Sequence, residues 1–113
     1  MKRLSTLLLA GLVAGCITPP PAPPSPYHAV GSQPRWSLII DEQHVTFIRA
    51  DQSMFREPRP TPVVTTAGST YQSQRIGVSI VRAQCRDAES GRIYPDRVQV
   101  DVDGRALHGC GGL

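Results

Sequence analysis

The strongest constraint on the fold of this chain is an apolar period of two. Val98, Val100 and Val102 alternate with Gln99, Asp101 and Asp103. Ile76, Val78 and Ile80 repeat the pattern, and Trp36, Leu38 and Ile40 alternate with Arg35, Ser37 and Ile39. Such a segment can bury one face as a strand but not as a helix, whose repeat is near 3.6. No stretch after residue 15 keeps a helical period over two turns, so the chain is predicted to be all-β. Turn residues divide the pattern. The polar stretch Asp41–His44 precedes Val45–Ile48 and predicts a first hairpin. Asp103-Gly104 predicts a second, because a type I′ turn needs positive φ at both central residues. A two-residue turn there sets Leu107 opposite Val100 on one face. Residues 51–62, with Pro58, Pro60 and Pro62, read as a loop. Val63–Thr66 reads as a short strand, Gly68-Ser69 as a turn, and residues 86–93 as a polar connection. The expectation is a small antiparallel barrel or sandwich of roughly five to seven short strands.

The N-terminus follows different rules. Lys2 and Arg3 precede an apolar run from Leu4 to Leu12. That run is shorter than the roughly 20 residues a membrane-spanning helix needs. It ends in Leu12-Val13-Ala14-Gly15-Cys16, which resembles the lipobox of bacterial lipoproteins, where small residues precede a lipid-modified cysteine. The resemblance implies a signal peptide over residues 1–15, cleavage before Cys16, and acyl chains, palmitate among them, on the new N-terminus. Ile17 follows, not the aspartate that retains some lipoproteins at the inner membrane. The expected location is therefore the envelope of a Gram-negative bacterium, lipid-anchored at the outer membrane and facing the periplasm. The prolines from Pro19 to Pro26 fix φ and remove amide donors, which predicts an extended tether over residues 16–26. At about 3.1 Å per residue they reach about 25 Å. Residues 27–113 are left for the β-rich domain.

Charge supplies no second route to a membrane or to nucleic acid. Twelve Lys and Arg face nine Asp and Glu, but Lys2 and Arg3 leave with the signal, so ten arginines then face nine acids. Those arginines are scattered from Arg35 to Arg105, and neither a nucleic-acid footprint nor a polybasic membrane patch is read.

With Cys16 assigned to lipid, Cys85 and Cys110 remain as an even pair in an exported chain, where disulfides persist. A metal site is the alternative, but Cys-x-x-Cys spacing is missing. The histidines His28, His44 and His108 share no zinc-type spacing with other ligands, and no metal or cofactor is expected. Three separated elements also resemble a family of uncharacterised small bacterial envelope lipoproteins: Gly31-Ser-Gln-Pro34-Arg-Trp36-Ser37, Cys85-Arg-Asp87-Ala-Glu-Ser90-Gly-Arg-Ile-Tyr94-Pro95, and Gly104-Arg-Ala-Leu107-His-Gly109-Cys110. The chain departs from that pattern at Ala88-Glu89, where the family carries Gly-Met. The resemblance implies a β-rich domain and the disulfide, and brings no activity with it.

Two candidate sites follow. Asp87, Ser90 and Tyr94 form a candidate binding loop tied to the core by the disulfide, or else a loop whose polar side chains bond their own amides. Trp36 is a stacking platform if exposed and a core anchor if buried. No nucleophile elbow or phosphate-binding glycine loop occurs, and Glu42, Glu57 and Glu89 all fall in predicted loops. The expected function is non-catalytic: an interaction module for a protein or envelope component, in its sharper form an inhibitor of a cell-wall hydrolase. The alternative is a small-ligand or metal binder using the 86–95 loop or a barrel mouth.

Overall fold

The computed structural model describes residues 25–113; the signal segment, Cys16 and most of the proline run lie outside the described residues. Eleven strands make up the domain: β1 (Tyr27–Ser32), β2 (Arg35–Ile40), β3 (His44–Arg49), β4 (Met54–Pro58), β5 (Val63–Val64), β6 (Gly68–Gln72), β7 (Ile76–Val81), β8 (Cys85–Arg86), β9 (Ile93–Tyr94), β10 (Asp96–Val102) and β11 (Arg105–Gly111). Nine of them form one sheet in the order β4-β3-β2-β1-β11-β10-β7-β6-β5, and β8 pairs with β9 separately. Every pairing is antiparallel.

This strand order forces the sheet to roll. β4 and β5 are its two edges, yet only residues 59–62 separate them in the chain. That link can span at most about 17 Å, whereas a flat sheet of this width would hold its edges about 38 Å apart. The structure closes accordingly. The Arg75 guanidinium lies 4.1 Å from the ring centroid of Phe55 on β4. The Arg75 amide donates to Glu57 Oε1 at 3.2 Å, and Arg59 sits over Tyr71 of β6 at 5.5 Å. Side chains rather than a ladder bridge this seam, so the architecture is an open, curled half-barrel.

The alternating apolar residues fill its interior. Leu38, Val45, Ile76, Val78 and Val100 are almost wholly enclosed. Val100 faces Leu107, as the Asp103-Gly104 turn dictates, and those two turn residues have φ of 50° and 82°. Trp36 lies opposite Gly31 across β1 and β2. A Cβ on Gly31 would fall 2.1 Å from the indole Nε1, and one on Gly109 would fall 2.8 Å from Cζ2. The indole therefore occupies space that these two glycines leave open, which makes the Gly31, Trp36 and Gly109 elements one packing unit. Trp36 continues into Phe47 and Phe55, with ring centroids 6.1 and 5.9 Å apart in turn. At 3 % exposure Trp36 is a core anchor, not a surface platform.

The strand count exceeds the expected five to seven, and a single rolled sheet replaces the sandwich alternative. β4 lies inside the stretch read as a proline loop. An edge strand needs only one ladder, so Pro58 at its end costs little, and exposed Met54, Arg56 and Pro58 hide the alternation. β6 starts at Gly68, where a turn was expected, and the turn itself lies just before it. β1 buries Ala29 and Gly31, which are too small to give an apolar signal. β8 and β9 fall at the ends of the polar connection.

Candidate functional site

The β8–β9 hairpin is a strap across the outer face of the barrel. Cys110 alternates with inward-facing Leu107 along β11, so its side chain points outward. It bonds Cys85 with Cα atoms 5.5 Å apart and is covered, at 2 % exposure. On the other side of the strap, Arg35 and Glu89 form an ion pair between exposed side chains.

The structure gathers Asp87, Ser90 and Tyr94 into this strap. The Asp87 carboxylate accepts from the Ser90 amide at 2.8 Å and the Ser90 hydroxyl at 2.7 Å. Those donations, the hydroxyl's first, hold its carboxyl below the usual range. The Gly91 amide donates to the Asp87 carbonyl at 2.8 Å, and the Asp87 amide to the Arg92 carbonyl at 2.9 Å. Gly91 supplies the positive φ of 73° that the turn requires. Asp87 and Ser90 thus satisfy each other within the turn. Tyr94 pairs with Cys85 across the hairpin, with the Arg92 guanidinium 5.9 Å from its ring centroid. The strap walls two grooves on the outer face. One, of about 550 Å³, runs past Ser79, Arg97 and His108; the other, of about 320 Å³, runs past Arg35, Ser37 and Ile48.

A third cavity opens inside the barrel, at one mouth. Antiparallel register brings Arg35 at the start of β2, Arg49 at the end of β3, Arg75 before β7 and Arg105 at the start of β11 to the same end. Tyr27, where the chain enters the domain, lies at the other end. The cavity is about 460 Å³, with Trp36, Phe47, Val102 and Leu107 as its apolar walls and Arg35, Arg49 and Arg105 at its rim. Asp103, in the β10–β11 turn, accepts two hydrogen bonds from Arg75 at 2.9 and 2.8 Å. Arg75 therefore holds the Asp103 carboxyl below its ordinary value. Arg49 is 3.9 Å from the same carboxylate and 4.9 Å from the Phe55 ring centroid. Asp51 is taken up by Ser53, whose amide and hydroxyl donate to it at 2.9 and 2.6 Å.

No sequence motif marks these mouth residues. The usable signal is positional: three of the four arginines sit at strand ends and Arg75 directly precedes a strand, so all four lie at one end of an up-and-down sheet. The histidines take scattered positions in β1, β3 and β11. Among the described residues no group of three or more His, Cys, Asp or Glu side chains is arranged to hold a metal ion. At the far end, the Tyr27 hydroxyl donates to Asp96 Oδ2 at 2.8 Å. Burial first, and then that acceptor, push the phenol well above its ordinary value.

Comparison with protein-family models, with curated proteins and with solved structures gives no match to this chain.

Proposed function

We propose that this chain is a membrane-anchored, non-catalytic envelope lipoprotein whose β domain is an interaction module for a protein or another envelope component. The observation that carries the reading is the division of its three cysteines. Cys85 and Cys110 are bonded to each other within the barrel domain, a state that persists in oxidising compartments. Cys16 is left ahead of a proline run, behind the charged and apolar lead of an exported chain. In this reading residues 1–15 are the signal peptide, lipid on Cys16 holds the chain to the outer membrane of a Gram-negative envelope, and residues 16–26 are the leash. The three elements shared with the small envelope lipoproteins agree with it. The sharper form is inhibition of a cell-wall hydrolase, with the strap, fixed on both sides, as the rigid surface offered to the enzyme.

The test uses the full lipidated chain in its own envelope, cross-linked through a photoreactive residue at Ala88 of the strap. A single envelope protein captured in proportion to the chain, and lost when Glu89→Arg breaks the strap's ion pair, supports the proposal. Labelling spread over abundant proteins regardless of that substitution sinks it. Inhibition of a muramidase by the purified chain tests the sharper form separately.

A further inference from the structure

We infer that the arginine-rimmed mouth is a binding site for a small organic anion: a compact apolar body carrying one carboxylate. The site opens inside the barrel, meets the strap only through the Arg35–Glu89 ion pair at its rim, and does not depend on the function proposed above.

Its shape and chemistry point the same way. A volume of about 460 Å³ falls in the range of small-molecule sites, roughly 300–1,000 Å³, and such sites set a few polar groups over mostly apolar walls. Here the buried Trp36 and Phe47 side chains, with Val102 and Leu107, form the floor beneath the opening, and the polar groups are charged. The charges at the rim are not balanced. Both carboxylates already have partners: Asp51 takes the donors of Ser53, and Asp103 takes the paired donors of Arg75. Arg35 is engaged by Glu89. Arg49 lies beyond hydrogen-bond distance of Asp103 at 3.9 Å, and Arg105 makes no ion pair with any described residue. The rim therefore offers unused guanidinium donors over an apolar hollow. A guanidinium recognises a carboxylate through a planar, paired set of N–H donors, and the hollow beneath takes the apolar body. A neutral molecule of equal shape would use the floor and leave those donors unused.

The mouth also faces away from Tyr27, where the tether enters.

Trp36 is the chain's single tryptophan, so its emission reads this cavity without labelling. The experiment titrates the full chain, in detergent, with adamantane-1-carboxylate and with the neutral adamantane-1-carboxamide, neither of which absorbs near the indole band. Arg105→Gln is compared with Arg82→Gln, a substitution at the opposite end of β7. Partition into detergent is common to all the proteins, so differences among them report the site. The expected result is a saturable shift of Trp36 emission by the carboxylate. Its Kd should rise about tenfold in Arg105→Gln, the loss of one charge-assisted hydrogen bond, with Arg82→Gln like the parent. The carboxamide should bind the parent about as weakly as the carboxylate binds Arg105→Gln. No saturable shift, equal affinity for the two ligands, or an Arg105→Gln protein that binds the carboxylate like the parent would each overturn the inference.

Discussion

Replacing Cys85 and Cys110 together by alanine should cost the domain about 3.5 kcal/mol. The bond spans 25 residues of chain. Closing a loop of that length removes about 12 cal/mol/K from the unfolded ensemble in the chain-entropy argument. At room temperature this is about 3.5 kcal/mol, and 1 kcal/mol moves the midpoint of a domain this size by about 4–8 °C. The double variant should therefore melt about 14–28 °C lower. Two features make the substitution readable. The thiol-bearing side chains lie on the outer face, away from the Trp36–Phe47–Phe55 stack. Alanine also leaves no unpaired hydroxyl beneath the strap, as serine would at buried Cys110. Thermal and urea unfolding followed by Trp36 emission is the assay. Before the transition, emission should match that of the parent, because the β10–β11 and β1–β2 ladders do not involve the strap. A loss below 1 kcal/mol would refute the entropy argument. A native-state emission already shifted to that of exposed indole would refute the separation of strap from core.

Other perturbations probe other parts of the fold. Gly109→Ala should destabilise by about 1–3 kcal/mol or more, the usual range for overpacking, because the new Cβ would meet the Val30 carbonyl oxygen at 2.0 Å and the indole at 2.8 Å; urea midpoints decide it. Gly104→Ala should cost about 1 kcal/mol through strain at φ 82° rather than contact, since nothing lies within 4 Å, and Asn at that position should recover much of the loss. Asp41, Asp51, Asp87 and Asp103 all have lowered carboxyl pKa values in the fold. Their contribution is complete above the unfolded value near 3.9 and is lost as pH falls from there through the folded values. Tm should therefore drop below about pH 4, and less steeply in an Asp87→Asn variant. Tyr27 works in the opposite sense. Its raised pKa gives stability that is complete below about pH 10 and lost as pH rises above it, so Tyr27→Phe should flatten the alkaline limb of a Tm–pH profile.

Where one strand face is apolar and the other polar, the sequence was readable residue by residue. β2, β7 and β10 follow their alternation, and the Asp103-Gly104 turn placed Leu107 against Val100 because turn length alone sets register. β1 escaped because its inward residues, Ala29 and Gly31, are small, and Gly31 leaves the space that Trp36 occupies. The need for that space belongs to the partner strand, not to β1. β4 escaped because edges use proline and charge to avoid further pairing, and those same residues read as loop, whereas β5 falls at the start of the short strand read at Val63–Thr66. The candidate loop was legible as a cluster, since Asp87, Ser90 and Tyr94 are close in sequence. Its internal hydrogen bonding depends on a tight turn at Gly91. A barrel mouth was expected only as a place, and its residues were not legible. Arg49 and Arg105 are far apart in the chain, and they meet only because a sheet with adjacent chain segments at its two edges must roll. That consequence follows from strand order, which alternation does not encode.

The central claim, that lipid on Cys16 carries this domain, is tested most directly by the intact mass of the chain recovered from membranes of an exporting Gram-negative host. The expected species is a polypeptide that begins at Cys16, carries the added mass of its acyl chains, and is two hydrogens lighter than the reduced form for the Cys85–Cys110 bond. The Cys16→Ala form should stay uncut and lipid-free. A soluble mature chain that begins at another residue and carries no lipid would contradict it.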